Sequence, residues 1–363
     1  MKNKLKNLSA VLIGLVFSFF ILELGLRIYN PLPATIKGDK VVLRANYKIE
    51  FKNNVNSKLP ARIQVNGNSL GFRGPELTSL HSIKVLTVGG STTRCMYSPD
   101  KMTWSFLLGE KLKSTTPNLW LNNAGFTGHS TFGHIKLMEE YLIRFKPDVI
   151  LFLIGINDVE RDVEDTFILQ DSSSLNSPMG KIKSILYKSE VVALGLNILR
   201  FIQAKQMNLN HDFAFDLRAI GELRMEKEDE KRKLEYQEKY LPEFRMRLQK
   251  LIDLCKANNI RPILITQPAL FGPGLDPSTD IDLQELKYND INGGLMWKVL
   301  QLYNASTLQV AKENQITAID LASELPKDSK YYWDFIHYTP EGNQKIAEIL
   351  ASKFKVGLKT PVE

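Results

Sequence analysis

The sequence predicts an α/β protein: a doubly wound, mainly parallel sheet of five strands, with a helical insertion and an N-terminal transmembrane helix. Three observations predict it. From Ile83 onward, short β-branched runs alternate with segments of helical periodicity. Val149–Ile154 (VILFLI) is a continuous apolar run of strand length, as a central strand covered on both faces requires. The one long apolar stretch lies at the N-terminus.

Lys2, Lys4 and Lys6 precede an apolar run from Leu8 to Leu22, which Leu24, Leu26 and Ile28 extend past Glu23 and Arg27. The uninterrupted part is shorter than the roughly 20 residues a spanning helix needs, so it overlaps with a signal peptide. No convincing small-x-small cleavage site follows, and Glu23 and Arg27 fall on one helical face, where they can pair. Residues 1–29 are therefore expected to be an uncleaved signal anchor in the cytoplasmic membrane. Its basic end stays inside, and the rest of the chain faces the periplasm or cell exterior.

Residues 30–82, with Pro31 and Pro33 and β-like pieces at Val41–Leu43 and Arg62–Val65, read as a stalk and an ordered N-terminal extension. Asn68–Glu76 (NSLGFRGPE) is turn-rich, and its Phe and Arg mark an ordered loop. The main domain is expected over 83–357. Its strands are Lys84–Val88, Leu119–Asn122, Val149–Ile154, Ile260–Thr266 and Ile316–Asp320. Helices are expected over Thr103–Leu112, Gly133–Phe145, Pro242–Asn258, about Leu295–Asn314, and Pro340–Phe354 with Pro at its first turn. In the 160–242 insertion, Arg224–Lys239 is polar nearly all round, which fits a solvated helix or a lid. Residues 358–363 form a tail.

Composition excludes several classes. Apolar residues are 44% and charged residues 24%, values of a globular chain with a real core. The net charge of +7 is spread along the sequence, and its densest run, Glu226–Lys233 (EKEDEKRK), mixes signs, so no nucleic-acid partner is expected. Cys95 and Cys255 have neither disulfide-framework nor zinc spacing. No metal is expected. Cys255 reads as core, and Cys95 as a small residue in a helix near the site rather than a nucleophile.

The chemistry sits where strands end, the rim at which doubly wound sheets collect their ligands. Gly89-Gly90-Ser91-Thr92-Thr93 allows a sharp turn that exposes a hydroxyl beside backbone amides. It has no P-loop Lys and no GxSxG frame. Asn123-Ala124-Gly125-Phe126-Thr127-Gly128 follows the second strand. Gly155-Ile156-Asn157-Asp158 follows the third, offering an amide as oxyanion donor. Asp334-Phe335-Ile336-His337 places a carboxylate beside a histidine on one short loop, the local means of orienting a general base. Of the other histidines, His129 and His134 lie near enough to the second motif to contact substrate.

In this order and placement, the four motifs resemble the SGNH (GDSL-like) hydrolase family over roughly residues 83–354, the insertion apart. The resemblance implies a flavodoxin-like three-layer fold. It implies Ser91 as nucleophile, Asp334 as orienter and His337 as base, with the Ser91 and Gly125 amides and the Asn157 side chain as oxyanion donors. It departs at Gly90, where the family carries Asp. NSLGFRGPE and the single anchor also resemble a membrane-bound branch of the family linked to envelope polysaccharides.

The expected activity is serine-dependent hydrolysis of carboxyl esters through an acyl-enzyme, with an acylated (acetylated) glycan or small ester as substrate and no cofactor. Transfer of acyl groups onto a polysaccharide, fed by a membrane acyl-donor protein, is a second reading. A non-catalytic glycan-binding scaffold is a third.

Overall fold

The computed structural model describes residues 2–28, 36–37, 40–41, 43–53, 56–160, 189–195, 198 and 215–354. Of the insertion expected over 160–242, residues 161–188, 196–197 and 199–214 lie outside these, as does the 358–363 tail. The chain divides into two compact units: Met1–Arg44 with Glu164–His211, and Ala45–Val163 with Asp212–Glu363.

The first unit is organised by α1 (Lys2–Ile28). Its Ala10–Ile28 stretch has a mean hydropathy of 2.2 over 19 residues and is almost wholly exposed. At 1.5 Å per residue that is about 28 Å, close to the thickness of a bilayer's hydrocarbon core. The expected pair forms: Arg27 Nε donates to Glu23 Oε1 at 2.9 Å. The other oxygen, Glu23 Oε2, accepts from Ser189 Oγ at 2.7 Å and the Val191 amide at 3.2 Å, contacts with no signature in the sequence pattern.

The second unit holds the sheet. An antiparallel hairpin, β1 (Lys48–Lys52) and β2 (Arg62–Asn66), opens it, so residues 45–82 fold with the sheet unit. The sheet strands are β3 (Ile83–Gly89), β4 (Leu119–Asn123), β5 (Val149–Leu153), β6 (Arg261–Ile265) and β7 (Thr317–Ile319). They pair in parallel in the order β7-β6-β5-β3-β4. The chain runs from β3 outward to β4 and then back across to β5, so the topological switch point lies between β3 and β5. The motifs carrying Ser91 and Asn157 leave these two strands.

Each strand's apolar residues point into one of two helical layers. The helices α3 (Trp104–Lys113) and α9 (Pro340–Lys353) pack together on one face, with the short α8 (Leu321–Glu324) against α9. On the other lie α4 (Thr131–Glu140), α6 (Leu241–Ala257) and α7 (Gly293–Glu313). β5 is buried at all five positions, as its unbroken apolar run predicts. The helix starts are capped as their sequences dictate. Thr103 Oγ1, Asn292 Oδ1 and Thr339 Oγ1 accept from Phe106, Leu295 and Gly342 amides, and Pro340 occupies the first turn of α9.

One expectation changes, and one alternative is decided. The helix expected over Gly133–Phe145 ends at Glu140 and resumes as a 3-10 turn, Leu142–Phe145, because Tyr141 leaves helical geometry (φ −130°, ψ −58°). Its buried residues are Thr131, Gly133, His134, Leu137 and Met138. The polar segment forms α5 (Lys227–Glu238) and packs on α6 and α7, tied to α7 by a Glu230–Lys298 ion pair; it is a solvated outer helix.

Candidate active site

β3 runs straight into a one-turn helix, α2 (Ser91–Arg94), with Gly90 as its N-cap. Ser91 and His337 are both buried, 8% and 7% exposed, at the floor of the site. His337 Nε2 lies 2.8 Å from Ser91 Oγ, across 246 residues of sequence. On its other side, His337 Nδ1 lies 2.6 Å from Asp334 Oδ2. The Asp334 carboxylate is itself fixed, since Oδ1 accepts from the Ile336 and His337 amides at 2.8 and 2.7 Å. A Tyr332–Tyr338 bridge closes this loop, and Trp333 stacks on the His337 ring at 5.2 Å and 18°. Alcohol, imidazole and carboxylate thus form one hydrogen-bonded chain, the arrangement in which the imidazole can take the hydroxyl proton.

Asn157 stands on the turn after β5, and its Nδ2 donates to the His129 carbonyl at 3.0 Å. A Cβ on Gly90 would overlap that same nitrogen. A side chain at position 90 would have to displace the Asn157 amide from this place. One Nδ2 proton serves His129; the other is left for a ligand. The Ser91 N–H opens α2 and donates to no protein group among the described residues, as first-turn amides do when held for a ligand.

Gly125 does not take the expected place. Its N–H donates to Asn123 Oδ1 at 2.8 Å, so that proton is already committed. The residue is glycine for a different reason: a Cβ there would stand 2.6 Å from the Arg94 amide nitrogen. Gly128 (φ 77°), three residues on, belongs to the turn whose His129 carbonyl holds Asn157, and its N–H donates to no protein group among the described residues.

His129 and His134 are 3% and 1% exposed, so neither ring is a substrate contact. Burial holds His129 neutral, with a pKa lowered to about 4, and the nearby Arg94 charge adds to the effect. Asp158 ties the Asn157 turn to α4: its Oδ1 accepts from the Thr131 amide at 3.0 Å and from Thr131 Oγ1 at 2.5 Å. Cys95 lies just beyond α2 rather than inside it, at φ 50°, and burial pushes its thiol up to about 12. Among the described residues no group of three or more His, Cys, Asp or Glu is placed to hold a metal ion.

The largest contribution that sequence reasoning missed comes from residues 45–76. Tyr47, Leu59, Ile63 and Val65 form a core cluster with Trp333, the residue stacked on His337. Asn56 Nδ2 donates to the Trp333 carbonyl at 3.3 Å, and Lys58 Nζ to the Ser329 carbonyl at 2.7 Å. The NSLGFRGPE motif was the available signal, because a turn-rich segment carrying Phe and Arg must fasten to something.

The pattern of a GDSL-like lipase/acylhydrolase family matches residues 87–345. No curated protein matches the chain. Among solved structures it is similar to an acetyl xylan esterase at 18% identity and a TM-score of 0.42, covering 74% of this chain and 98% of that one. It is also similar to an acetylxylan esterase from Geobacillus stearothermophilus, at 16% identity and a TM-score of 0.42, covering 75% and 94%.

Proposed function

The chain belongs to the GDSL-like lipase/acylhydrolase family and is a serine esterase, and on that premise we propose that it cleaves O-acyl esters of a glycan outside the cytoplasmic membrane through an acyl-enzyme on Ser91. The observation that carries the reading is the unbroken Ser91–His337–Asp334 hydrogen-bond chain.

In the reaction, His337 Nε2 takes the proton of Ser91 Oγ as the oxygen attacks the ester carbonyl. Negative charge develops on the carbonyl oxygen, where the Ser91 N–H, the Asn157 amide and the Gly128 N–H donate to it. Asp334 holds Nδ1–H and stabilises the imidazolium. Collapse breaks the bond to the alcohol, which leaves with the proton from His337. Water then enters by the same route in reverse and releases the carboxylic acid.

One feature supports the membrane part of the reading. The exposed apolar helix behind Lys2, Lys4 and Lys6 has the charge pattern of an anchor whose basic end stays in the cytoplasm.

The test is product analysis with the purified full-length chain. Acetate release from an acetylated oligosaccharide, lost in Ser91→Ala, is the expected result. Acyl transfer to a bare oligosaccharide in place of release would establish the transferase instead. Wild-type turnover in Ser91→Ala would remove the serine mechanism altogether.

A further inference from the structure

The nucleophile rides on a single helical turn, too short to be stable by its own hydrogen bonds. Its last carbonyls have no helical partners and must be satisfied from outside. Trp104 Nε1 donates to Thr92 O at 3.0 Å, and Asn123 Nδ2 to Thr93 O at 2.5 Å. Arg94 O, and Cys95 O just beyond the turn, are held by one side chain, the second shared with the Ser98 amide at 3.0 Å. Arg73 Nη1 donates to Arg94 O at 2.7 Å and to Cys95 O at 2.6 Å, while Nη2 donates to Ser98 O.

Arg73 is 3% exposed, so its guanidinium serves the protein and not a ligand. Asp100 fixes its remaining edge, accepting from Nε at 2.7 Å, and also accepts from Asn66 Nδ2 at 2.6 Å at the end of β2. The Arg73 backbone pairs both ways with Asn123, at 3.0 and 3.1 Å, at the end of β4. Three pieces of chain therefore meet at Arg73: the hairpin, the strand leading to the Gly125–Gly128 turn, and the back of the nucleophile helix. Position 90 offers no side-chain support from the front, because the Asn157 amide fills that space.

We propose that Arg73 is the positioning residue of the nucleophile, holding Ser91 Oγ within reach of His337 by gripping the carbonyl end of α2 with its planar fork. The proposal rests on Ser91 being the nucleophile. The fork matters as much as the charge. Three carbonyls held at once need the fixed geometry of a guanidinium, and a lysine ammonium on a flexible stem cannot reproduce it.

The experiment uses the full-length chain with a fluorophosphonate probe, p-nitrophenyl acetate kinetics and a thermal midpoint. In folded Arg73→Lys, kcat and the labelling rate fall together by about 10- to 100-fold, the scale of a displaced reacting group, while KM stays near the wild-type value. Methylguanidinium added to Arg73→Ala restores part of the labelling rate. If Arg73→Ala does not fold, Asp100→Asn carries the test, with a smaller loss in the same direction. Wild-type labelling rates in folded Arg73→Lys and Asp100→Asn would overturn the proposal, as would a raised KM with kcat unchanged. Labelling of the wild type that disappears in Ser91→Ala distinguishes failure here from failure of the esterase reading.

Discussion

Gly90 and Asn157 share one space: a Cβ on the first would overlap the amide nitrogen of the second. Any side chain at position 90 must therefore move the Asn157 amide. Gly90→Asp, which restores the family's usual residue, is expected to lower kcat by at least about 10-fold by displacing an oxyanion donor. Kinetics on p-nitrophenyl acetate decide it. An unchanged or raised kcat would show that the two residues do not compete.

Asn157 itself is expected to act on the transition state. Its amide reaches the His129 carbonyl with one proton and leaves the other for developing charge. Asn157→Ala should lower kcat by about 10²- to 10³-fold with little change in KM, because a donor to the tetrahedral oxyanion contributes less to ground-state binding. A rise in KM alone would make it a substrate-binding group.

Asp334→Asn isolates the tautomer. The Asn oxygen can still accept from the Ile336 and His337 amides, so the loop should keep its shape. Its NH₂ would face His337 Nδ1, forcing the ring proton onto Nε2, where Ser91 needs an acceptor. A loss of about 10⁴-fold in kcat in a protein of unchanged thermal midpoint is the expected outcome. A loss under about 10-fold would mean that Asp334 merely shapes the loop.

Cys95 tests the opposite case, a reactive residue type beside the site with no part in the chemistry. Its thiol is buried, pushed up to about 12, and its one proton faces two acceptors, Thr92 O at 3.3 Å and Asn343 Oδ1 at 3.4 Å. A thiol so placed is not a nucleophile at neutral pH. Cys95→Ser should keep kcat within about 3-fold, since the hydroxyl offers one proton to the same pair of acceptors. Loss of turnover together with loss of fluorophosphonate labelling would reopen the cysteine reading.

What the sequence reveals and what it hides divide along the range of the interactions. The strands were legible because β-branched runs between glycines leave few alternatives; Val149–Leu153 falls within its expected span. That Ser91, Asp334 and His337 meet was legible because their motifs all sit at strand ends. The Gly125 amide was not, because its commitment depends on the neighbouring Asn123 side chain folding back on it, an interaction with no periodic signature. Arg73 was visible only as part of an ordered loop. Its partners at Arg94, Cys95 and Asp100 are brought to it by the tertiary fold. Tyr141 ended a helix whose periodicity continued past it, showing local geometry prevailing over pattern.

The buried histidines give the fold a pH dependence separable from that of catalysis. His129 stays neutral in the native state, with a pKa lowered to about 4, chiefly by burial. In the unfolded chain an ordinary histidine takes up its proton near 6.5. Between these values the unfolded state binds a proton that the folded state does not, so stability is full above about pH 6.5 and declines as the pH falls toward 4. Over that window His129 alone contributes a loss of roughly 3 kcal/mol. His134, also held well below its ordinary value by burial, acts in the same direction. In His129→Phe the ring can still stack on Phe126, which lies 4.9 Å from the His129 ring, while one titration is removed. The urea midpoint of this variant should therefore fall less than that of the wild type between pH 7.5 and pH 4.5. Equal falls in the two proteins would mean that His129 is protonated in the native state, and that the neutral packing drawn here around the Asn157 turn is wrong.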